Sequence, residues 1–95
     1  VRQTTAFRSW YSKLRDRAAK ARISARIDRL ALGNPGDVKP VGSGISELRI
    51  NYGPGYRVYF TRVGNMVVIL LCGGDKSTQD EDIRSAKALA SELGD

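Results

Sequence analysis

Four polar side chains on two neighbouring predicted strands could together bind a phosphate group. Arg49, Asn51, Arg57 and Tyr59 stand at alternating positions, and alternate residues of a strand point to the same face of a sheet. A guanidinium group offers phosphate oxygens a planar fork of donors and stays charged at any working pH. The spacing therefore predicts an exposed sheet face that binds phosphate.

Two lysines extend this predicted site. Lys76 follows the third predicted strand closely, which favours its convergence on Arg57, and Lys39 lies in a glycine-rich loop at the rim. The residues alone also allow a second interpretation, in which the arginines are ordinary solvent-facing strand positions with surface ion pairs. In that case Tyr59 simply packs against its cross-strand neighbours. Both interpretations stay open at this point.

The composition excludes several kinds of catalysis. The chain has no histidine and one cysteine, Cys72, which excludes Ser-His-Asp and Cys-His catalysis, histidine zinc sites, disulfides and a cysteine metal cluster. We expect Cys72 to be a small buried hydrophobe and the protein to be cytoplasmic. The glycine-rich segments lack the Lys-Ser/Thr ending of a P-loop, and a helix start explains the acidic run at 80–82. We therefore expect no metal and no cofactor.

Positive charge is concentrated in the first half of the chain. The 95 residues have a net charge of +6, with ten basic and three acidic residues over 1–40 and six basic and seven acidic residues over 41–95. This asymmetry predicts a polyanionic partner, either a nucleic acid or an acidic protein segment, although a solvated helix face also explains it. No apolar run approaches the roughly 20 residues that span a bilayer, so we expect no membrane partner.

Apolar spacing predicts a helix hairpin at the start of a single domain over 1–95. The apolar stripe within 7–14 has helical spacing, and so does a second stripe within 23–30. In one straight helix the two stripes would lie on opposite sides, so the chain must fold back between them. We expect Asp16 to cap the second helix and Gly33 to end it, followed by a loop over 33–44.

Three strands and a final helix complete the predicted order. The strands are 45–52, 56–62 and 66–72, with turns at Gly53-Pro54-Gly55 and Gly64-Asn65. We expect 73–76 to form a tight exit from the last strand. Thr78 then begins the last helix and forms a capping box with Glu81.

The turn lengths predict a pairing register. A three-residue first turn pairs Asn51 with Arg57 and Arg49 with Tyr59. A two-residue second turn places Cys72 beside Arg57 and Leu70 beside Tyr59. Since side chains alternate along a strand, this register gathers the polar set on one face of the sheet.

Four segments together resemble a known family. They are 36–42 (GDVKPVG), 46–50 (SELRI), 55–60 (GYRVYF) and 68–77 (VILLCGGDKS). With the two predicted helices, they resemble the HigB-type addiction module killer proteins of the RelE/ParE toxin superfamily. The resemblance implies an α+β, RelE-like fold, with a helix hairpin, an antiparallel strand meander and a C-terminal helix. Residues 1–4 would be the remnant of a first strand that is truncated at its start.

The resemblance also implies an activity. RelE-type toxins are ribosome-dependent endoribonucleases that cut messenger RNA without a metal, because the RNA 2′-hydroxyl attacks its own phosphate. Arg57 matches the strand arginine that faces the scissile phosphate, and Lys76 matches the basic residue after the last long strand. Arg49 matches an arginine on the preceding strand. With Tyr59, these residues form the expected catalytic set.

The chain departs from this family at the general base. Some relatives have a tyrosine or histidine near the start of the last helix, where this chain has Gln-Asp-Glu-Asp at 79–82. Other relatives have lysines on the first hairpin strand, where this chain has Ser46 and Glu47. The candidate bases are Lys39, Asp75, Asp80 and Tyr59.

Further RNA contacts are expected beside the catalytic set. Lys39 and Asn51 are expected to bind substrate, and the helix cations would rest on ribosomal RNA through its backbone. Those cations are Lys13, Arg15, Arg17, Lys20, Arg22, Arg26 and Arg29.

The resemblance leaves two other functions open. A ParE-like toxin would block DNA gyrase by binding, and a non-catalytic RNA-binding module would cause no growth arrest. For a toxin of a type II toxin–antitoxin system, we expect a cognate helix-turn-helix antitoxin as partner. Operator DNA would be contacted only through that antitoxin.

Overall fold

The predicted helix hairpin is present in the computed structural model, which describes residues 1–64 and 67–93. Helix α1 spans Thr5–Lys13 and helix α2 spans Arg17–Ala31. The Asp16 side chain accepts a hydrogen bond from the Ala19 backbone N–H at 3.1 Å, which confirms the predicted cap. At the other end, Gly33 has φ +85°. That left-handed turn lets the Asn34 N–H donate to the Arg29 carbonyl at 2.9 Å.

Five strands form one mixed sheet in the order β1-β5-β4-β3-β2. They are β1 Arg2–Gln3, β2 Val38–Gly42, β3 Ile45–Ile50, β4 Tyr56–Val63 and β5 Val67–Asp75. Strands β2 to β5 are an antiparallel meander, as expected, and β1 pairs in parallel with β5. The fold is α+β and consistent with a small RelE-like fold. Asn65 and Met66, which were assigned to the second turn and third strand, lie outside the described residues.

Strand β2 corrects the prediction of a loop over 33–44. Its glycine and proline residues are typical of loops, but β2 is an edge strand, where a proline without an N–H is tolerated. The pairing with β3 shifts between Pro40 and Gly42. Val38 and Val41 are the half-buried members of the strand.

The first hairpin register is two residues away from the predicted one. Arg49 pairs with Arg57, and Ile50 pairs with Tyr56, because the connection spans 51–55 and not 53–55. Asn51 therefore lies outside the strand, in the turn. Since an even shift returns each side chain to its own face, the predicted division of faces remains.

The second register is displaced by two residues: one at the turn, where Val63 pairs with Val67, and one at a bulge between Tyr59 and Phe60. Cys72 lies beside Tyr59, and Gly74 lies beside Arg57, so the predicted partners were wrong. The segment 73–75, predicted to be a tight exit, continues β5 as a paired strand.

Helix α3, which spans Gln79–Leu93, begins differently from the prediction. A short 3-10 turn, Lys76–Thr78, precedes it, and the Asp75 side chain caps that turn by accepting from the Ser77 N–H at 2.8 Å. The Thr78 hydroxyl donates to Asp82 Oδ2 at 2.5 Å and not within the predicted capping box with Glu81. This turn brings the chain from β5 across the sheet.

Two neighbouring glycines in β5 allow helices to approach both faces of the sheet. A Cβ atom on Gly73 would collide with the Trp10 indole ring of α1, and one on Gly74 would collide with the Asp82 carboxylate of α3. The Gly-Gly pair is thus explained by close packing on either side of one strand.

The core has two parts, one on each face of the sheet. Between the sheet and the two front helices pack Phe7 of α1, Ile23 and Leu30 of α2, and the strand residues Leu48, Ile50, Val58, Phe60, Val68 and Leu70. On the other face, Ala86 of α3 packs with the strand residues Ile45, Tyr59, Leu71 and Cys72. The face predicted to be exposed is therefore largely covered by α3. In the part of the chain that the structure describes, no helix combines the length and apolar character needed to cross a membrane.

Candidate anion-binding site

An open cleft of about 380 Å³ lies where the β3–β4 turn meets the end of β5. Its lining residues are Asp37, Arg49, Ile50, Asn51, Gly53, Pro54, Gly55, Arg57 and Lys76. Three cationic side chains, Arg49, Arg57 and Lys76, thus reach one cleft from three segments of the chain. Such a group of donors suits a multiply charged oxyanion such as phosphate.

The hairpin register explains how the cations come together. Arg49 and Arg57 are direct cross-strand partners, so their side chains leave the same face of the sheet side by side. Asp75 pairs with Tyr56, which brings the next residue, Lys76, to the same end of the hairpin. Gly55, at φ +81°, passes so close to Lys76 that an added Cβ would lie 3.4 Å from the lysine Cβ.

A buried carboxylate lies behind the two arginines. Glu47 is 1% exposed, and its Oε1 lies 3.8 Å from Arg49 Nε and 3.7 Å from Arg57 Nε. Its Oε2 accepts hydrogen bonds from the Tyr59 hydroxyl at 3.1 Å and from Gln79 Nε2 at 2.7 Å. In the sequence, Glu47 stands out only as a departure from relatives, which gives no indication of this role.

Tyr59 does not line the cleft, contrary to the prediction of an exposed polar face. Its side chain is fully buried under α3. Burial raises the pKa of Tyr59, and the charge of Glu47 and the hydrogen bond to it raise it further. A phenol held neutral in this way donates to Glu47 and is unsuited to the role of general base.

The other predicted bases either do not line the cleft or already accept hydrogen bonds within the protein. Asp75 Oδ1 accepts from the Ser77 N–H at 2.8 Å and from its hydroxyl at 2.5 Å, while Lys39 and Asp80 are not among the lining residues. Asp37 was not predicted to be a candidate base, but it does line the cleft. Its Oδ2 lies 3.9 Å from Arg49 Nε. The only sequence indication was its place beside Lys39 in the glycine-rich segment.

The helix cations lie in a neighbouring cleft or farther away. A cleft of about 340 Å³ is lined by Arg22, Ala25, Arg26, Arg29, Ile50 and Asn51, and it shares the last two residues with the first cleft. Of the other predicted substrate contacts, Lys20 lies over the Tyr11 ring, with Nζ 5.0 Å from its centroid. Lys39 is exposed on the edge strand.

Arg26 serves the structure of the loop before β2. Its Nη1 donates to the Arg49 carbonyl at 2.5 Å, and its Nη2 donates to the carbonyls of Pro35 and Asp37 at 3.0 and 3.2 Å. Burial, together with the neighbouring Arg29 charge, lowers the pKa of Arg26. These bonds hold the Asp37 segment against the cleft.

Two further sequence expectations concern Cys72 and metals. Cys72 is buried, and burial with the nearby Asp82 charge raises the pKa of its thiol to about 12, so it is an inert core residue. Among residues 1–64 and 67–93, no three Cys, Asp or Glu side chains gather in a way that could hold a metal ion.

The fold and the site define a small α+β protein with a cationic cleft at the end of a β-hairpin. Residues 9–92 match the family described as "Phage derived protein Gp49-like (DUF891)", and the chain belongs to that family. It is in general a family of the RelE toxin type, and its members are often toxins of toxin–antitoxin systems. A protein of Haemophilus influenzae, described as "Uncharacterized protein", is 60% identical over 94 residues, which cover 99% of this chain and 95% of the relative. No solved structure matches the chain.

Proposed function

We propose that this protein is a HigB-type toxin of a type II toxin–antitoxin system, and that it cleaves messenger RNA on the ribosome. The observation that supports this most is the convergence of Arg49, Arg57 and Lys76 on one open cleft. Cleavage of RNA by its own 2′-hydroxyl passes through a phosphorane with extra negative charge, which fixed cations stabilise.

The proposed reaction uses the cleft residues as follows. The 2′-oxygen bonds to phosphorus and its proton passes to the Asp37 carboxylate. The bond from phosphorus to the 5′-oxygen breaks, and the Lys76 ammonium protonates that oxygen. Arg49 and Arg57 bind the two non-bridging oxygens. The products are a 2′,3′-cyclic phosphate and a 5′-hydroxyl end, so no water is consumed in this step.

A cognate antitoxin completes the proposal. The open cleft and the neighbouring arginines of α2 offer a cationic surface to acidic segments of a helix-turn-helix partner. A partner bound there would shield the cleft from RNA. Contact with operator DNA would then pass through the antitoxin.

Expression in bacteria tests the proposed activity. We expect the wild type to arrest growth and to leave transcripts with new 5′-hydroxyl ends, because its cleft cations stabilise the cleavage transition state. The double variant Arg57→Ala/Lys76→Ala should do neither. The control Arg84→Ala/Lys87→Ala, which removes the same charge from exposed positions of α3, should act like the wild type.

Other outcomes of this experiment would favour a different function. Growth arrest with intact transcripts and a DNA-damage response would favour the ParE-like alternative. No arrest by a wild-type protein that still binds RNA would favour an RNA-binding module. Equal arrest by the wild type and the Arg57→Ala/Lys76→Ala variant would exclude these two residues from the chemistry.

A further inference from the structure

The buried carboxylate of Glu47 is the one acidic group behind the cleft that contacts both of its arginines within the described residues. Glu47 lies on β3, two residues before Arg49 and two register positions from the Arg49–Arg57 pair. At 1% exposure, it cannot reach a ligand in the cleft. Any effect of Glu47 on a bound ligand must therefore act through the side chains that it contacts.

One carboxylate oxygen anchors the side chain. Oε2 accepts from the Tyr59 hydroxyl on β4 and from Gln79 Nε2 at the start of α3. A buried charge is costly unless it is paired and hydrogen-bonded, and these two donors come from separate elements. They fix the direction in which the other oxygen points.

The other oxygen faces the inner edges of both guanidinium groups. Oε1 lies 3.8 Å from Arg49 Nε and 3.7 Å from Arg57 Nε. Both Nε atoms are buried, and within residues 1–64 and 67–93 neither has a hydrogen-bond partner. The Glu47 carboxylate therefore acts on the two guanidinium groups as a shared ion-pair partner at their Nε edges, while both side chains line the cleft.

The register places two positive charges side by side, which favours a negatively charged group between them. Arg49 and Arg57 are direct cross-strand neighbours, and like charges in that arrangement repel. A single negative charge between their Nε atoms offsets this repulsion. It also limits the positions that the two guanidinium groups can take.

We infer that Glu47 is a positioning residue that holds Arg49 and Arg57 in register for one phosphate group. The link to catalysis rests on the proposed function, whereas the link to arginine geometry does not. Misplacement of a catalytic group by about 1 Å can lower a rate by about 100-fold. Loss of the Glu47 charge should therefore slow cleavage while leaving the cleft more positive.

The test compares Glu47→Gln with Glu92→Gln, which makes the same change at an exposed position of α3. The first readout is the nuclear magnetic resonance signals of the arginine Nε–H groups. We expect two slowly exchanging signals from Arg49 and Arg57 in the wild type and in Glu92→Gln. In Glu47→Gln those two groups should exchange their protons with water rapidly, while the backbone amide spectrum remains that of a folded protein.

The second readout separates binding from cleavage. Cleavage of messenger RNA on programmed ribosomes should fall by about 100-fold in Glu47→Gln. Binding of a short RNA with a 2′-deoxy residue at the cleavage site should be unchanged or tighter, because the cleft has lost a negative charge. A variant that was merely less folded would lose both properties together.

Gln79→Ala serves as the second variant if Glu47→Gln does not fold. It removes one donor to Oε2 and leaves every buried charge in place, so the arginine signals should exchange faster and cleavage should fall by a smaller factor. Unchanged arginine signals and unchanged cleavage in the folded variant would overturn the inference. If the wild type cleaves no RNA, the proposed function fails, while the arginine signals still test the positioning role.

Discussion

At the scale of single residues, access to the cleft divides the polar side chains of β3 and β4 into two groups. Arg49 and Arg57 line the cleft, although Arg57 is only 8% exposed, whereas Glu47 and Tyr59 are enclosed behind them by α3. Residues of one sheet face therefore differ in role according to their depth under the helix. In the proposed function the two arginines bind the phosphate group, and the enclosed Glu47 and Tyr59 support them from behind.

We predict that Tyr59 is the last of the four tyrosines to lose its proton. Its raised pKa means that the folded protein favours the neutral phenol. That stability is fully present below the ordinary phenol pKa of about 10 and is lost as the pH rises through the raised value. Alkaline titration of phenolate absorbance should show a late phase that Tyr59→Phe removes and Tyr11→Phe retains. A wild type that titrates in one phase near the ordinary pKa would contradict this.

The site residues were predictable to the extent that they depend on local pattern. Alternation along a strand was enough to group Arg49 with Arg57, and the position of Lys76 just after a strand was enough to add it. The burial of Tyr59 was not predictable, since it depends on which face α3 covers. The arrival of Asp37 at the cleft was missed because it requires the pairing of an unpredicted edge strand.

At the scale of elements, turns and bulges place the site. The hairpin of α1 and α2 followed from apolar spacing, and the two ends of α2 followed from Asp16 and Gly33, which act locally. The registers did not, because the number of residues in a turn is set by how the turn packs and not by its glycines alone. The bulge beside Tyr59, which aligns Gly74 with Arg57, leaves no clear trace in the sequence.

We predict that Gly73→Ala destabilises the protein and moves Trp10, the only tryptophan. The added methyl group would occupy the space of the indole ring, and such overpacking costs about 1–3 kcal/mol of unfolding free energy. Chemical denaturation and tryptophan emission measure both effects.

Gly33→Ala is the matched control for this prediction. Nothing lies within 4 Å of its added Cβ, but the residue has φ +85°. It should cost about 1–2 kcal/mol through backbone strain alone and leave the emission spectrum unchanged. A Gly73→Ala protein with wild-type stability and emission would show that α1 does not pack on β5 as described.

At the scale of the whole molecule, the cleft adjoins a second cleft that is lined by arginines of α2. The two clefts share Ile50 and Asn51, and Arg22 and Arg29 are exposed along the second. This arrangement places the positively charged side chains of α2, in the first half of the chain, beside the cleft cations of the second half. A strand of RNA bound in the first cleft could continue along the second.

We predict that Arg22→Gln/Arg29→Gln weakens RNA binding and reduces its salt dependence. Each lost phosphate contact lowers the slope of log K against log salt by about 0.7 for a single strand. Fluorescence anisotropy with a 2′-deoxy-substituted RNA at several salt concentrations measures this slope. Arg84→Gln/Lys87→Gln, with the same change of charge on α3, should retain the wild-type slope, and an equal loss in both variants would show a nonspecific charge effect.

A double-mutant cycle for cleavage of messenger RNA on programmed ribosomes tests most directly whether Arg57 and Lys76 act on one phosphate. We predict that Arg57→Ala and Lys76→Ala each slow cleavage by about 10²–10³-fold. The double variant should be far more active than the product of these two losses implies, because both cations stabilise the same developing charge. Losses that simply multiply, or single variants that cleave at the wild-type rate, would contradict a shared site.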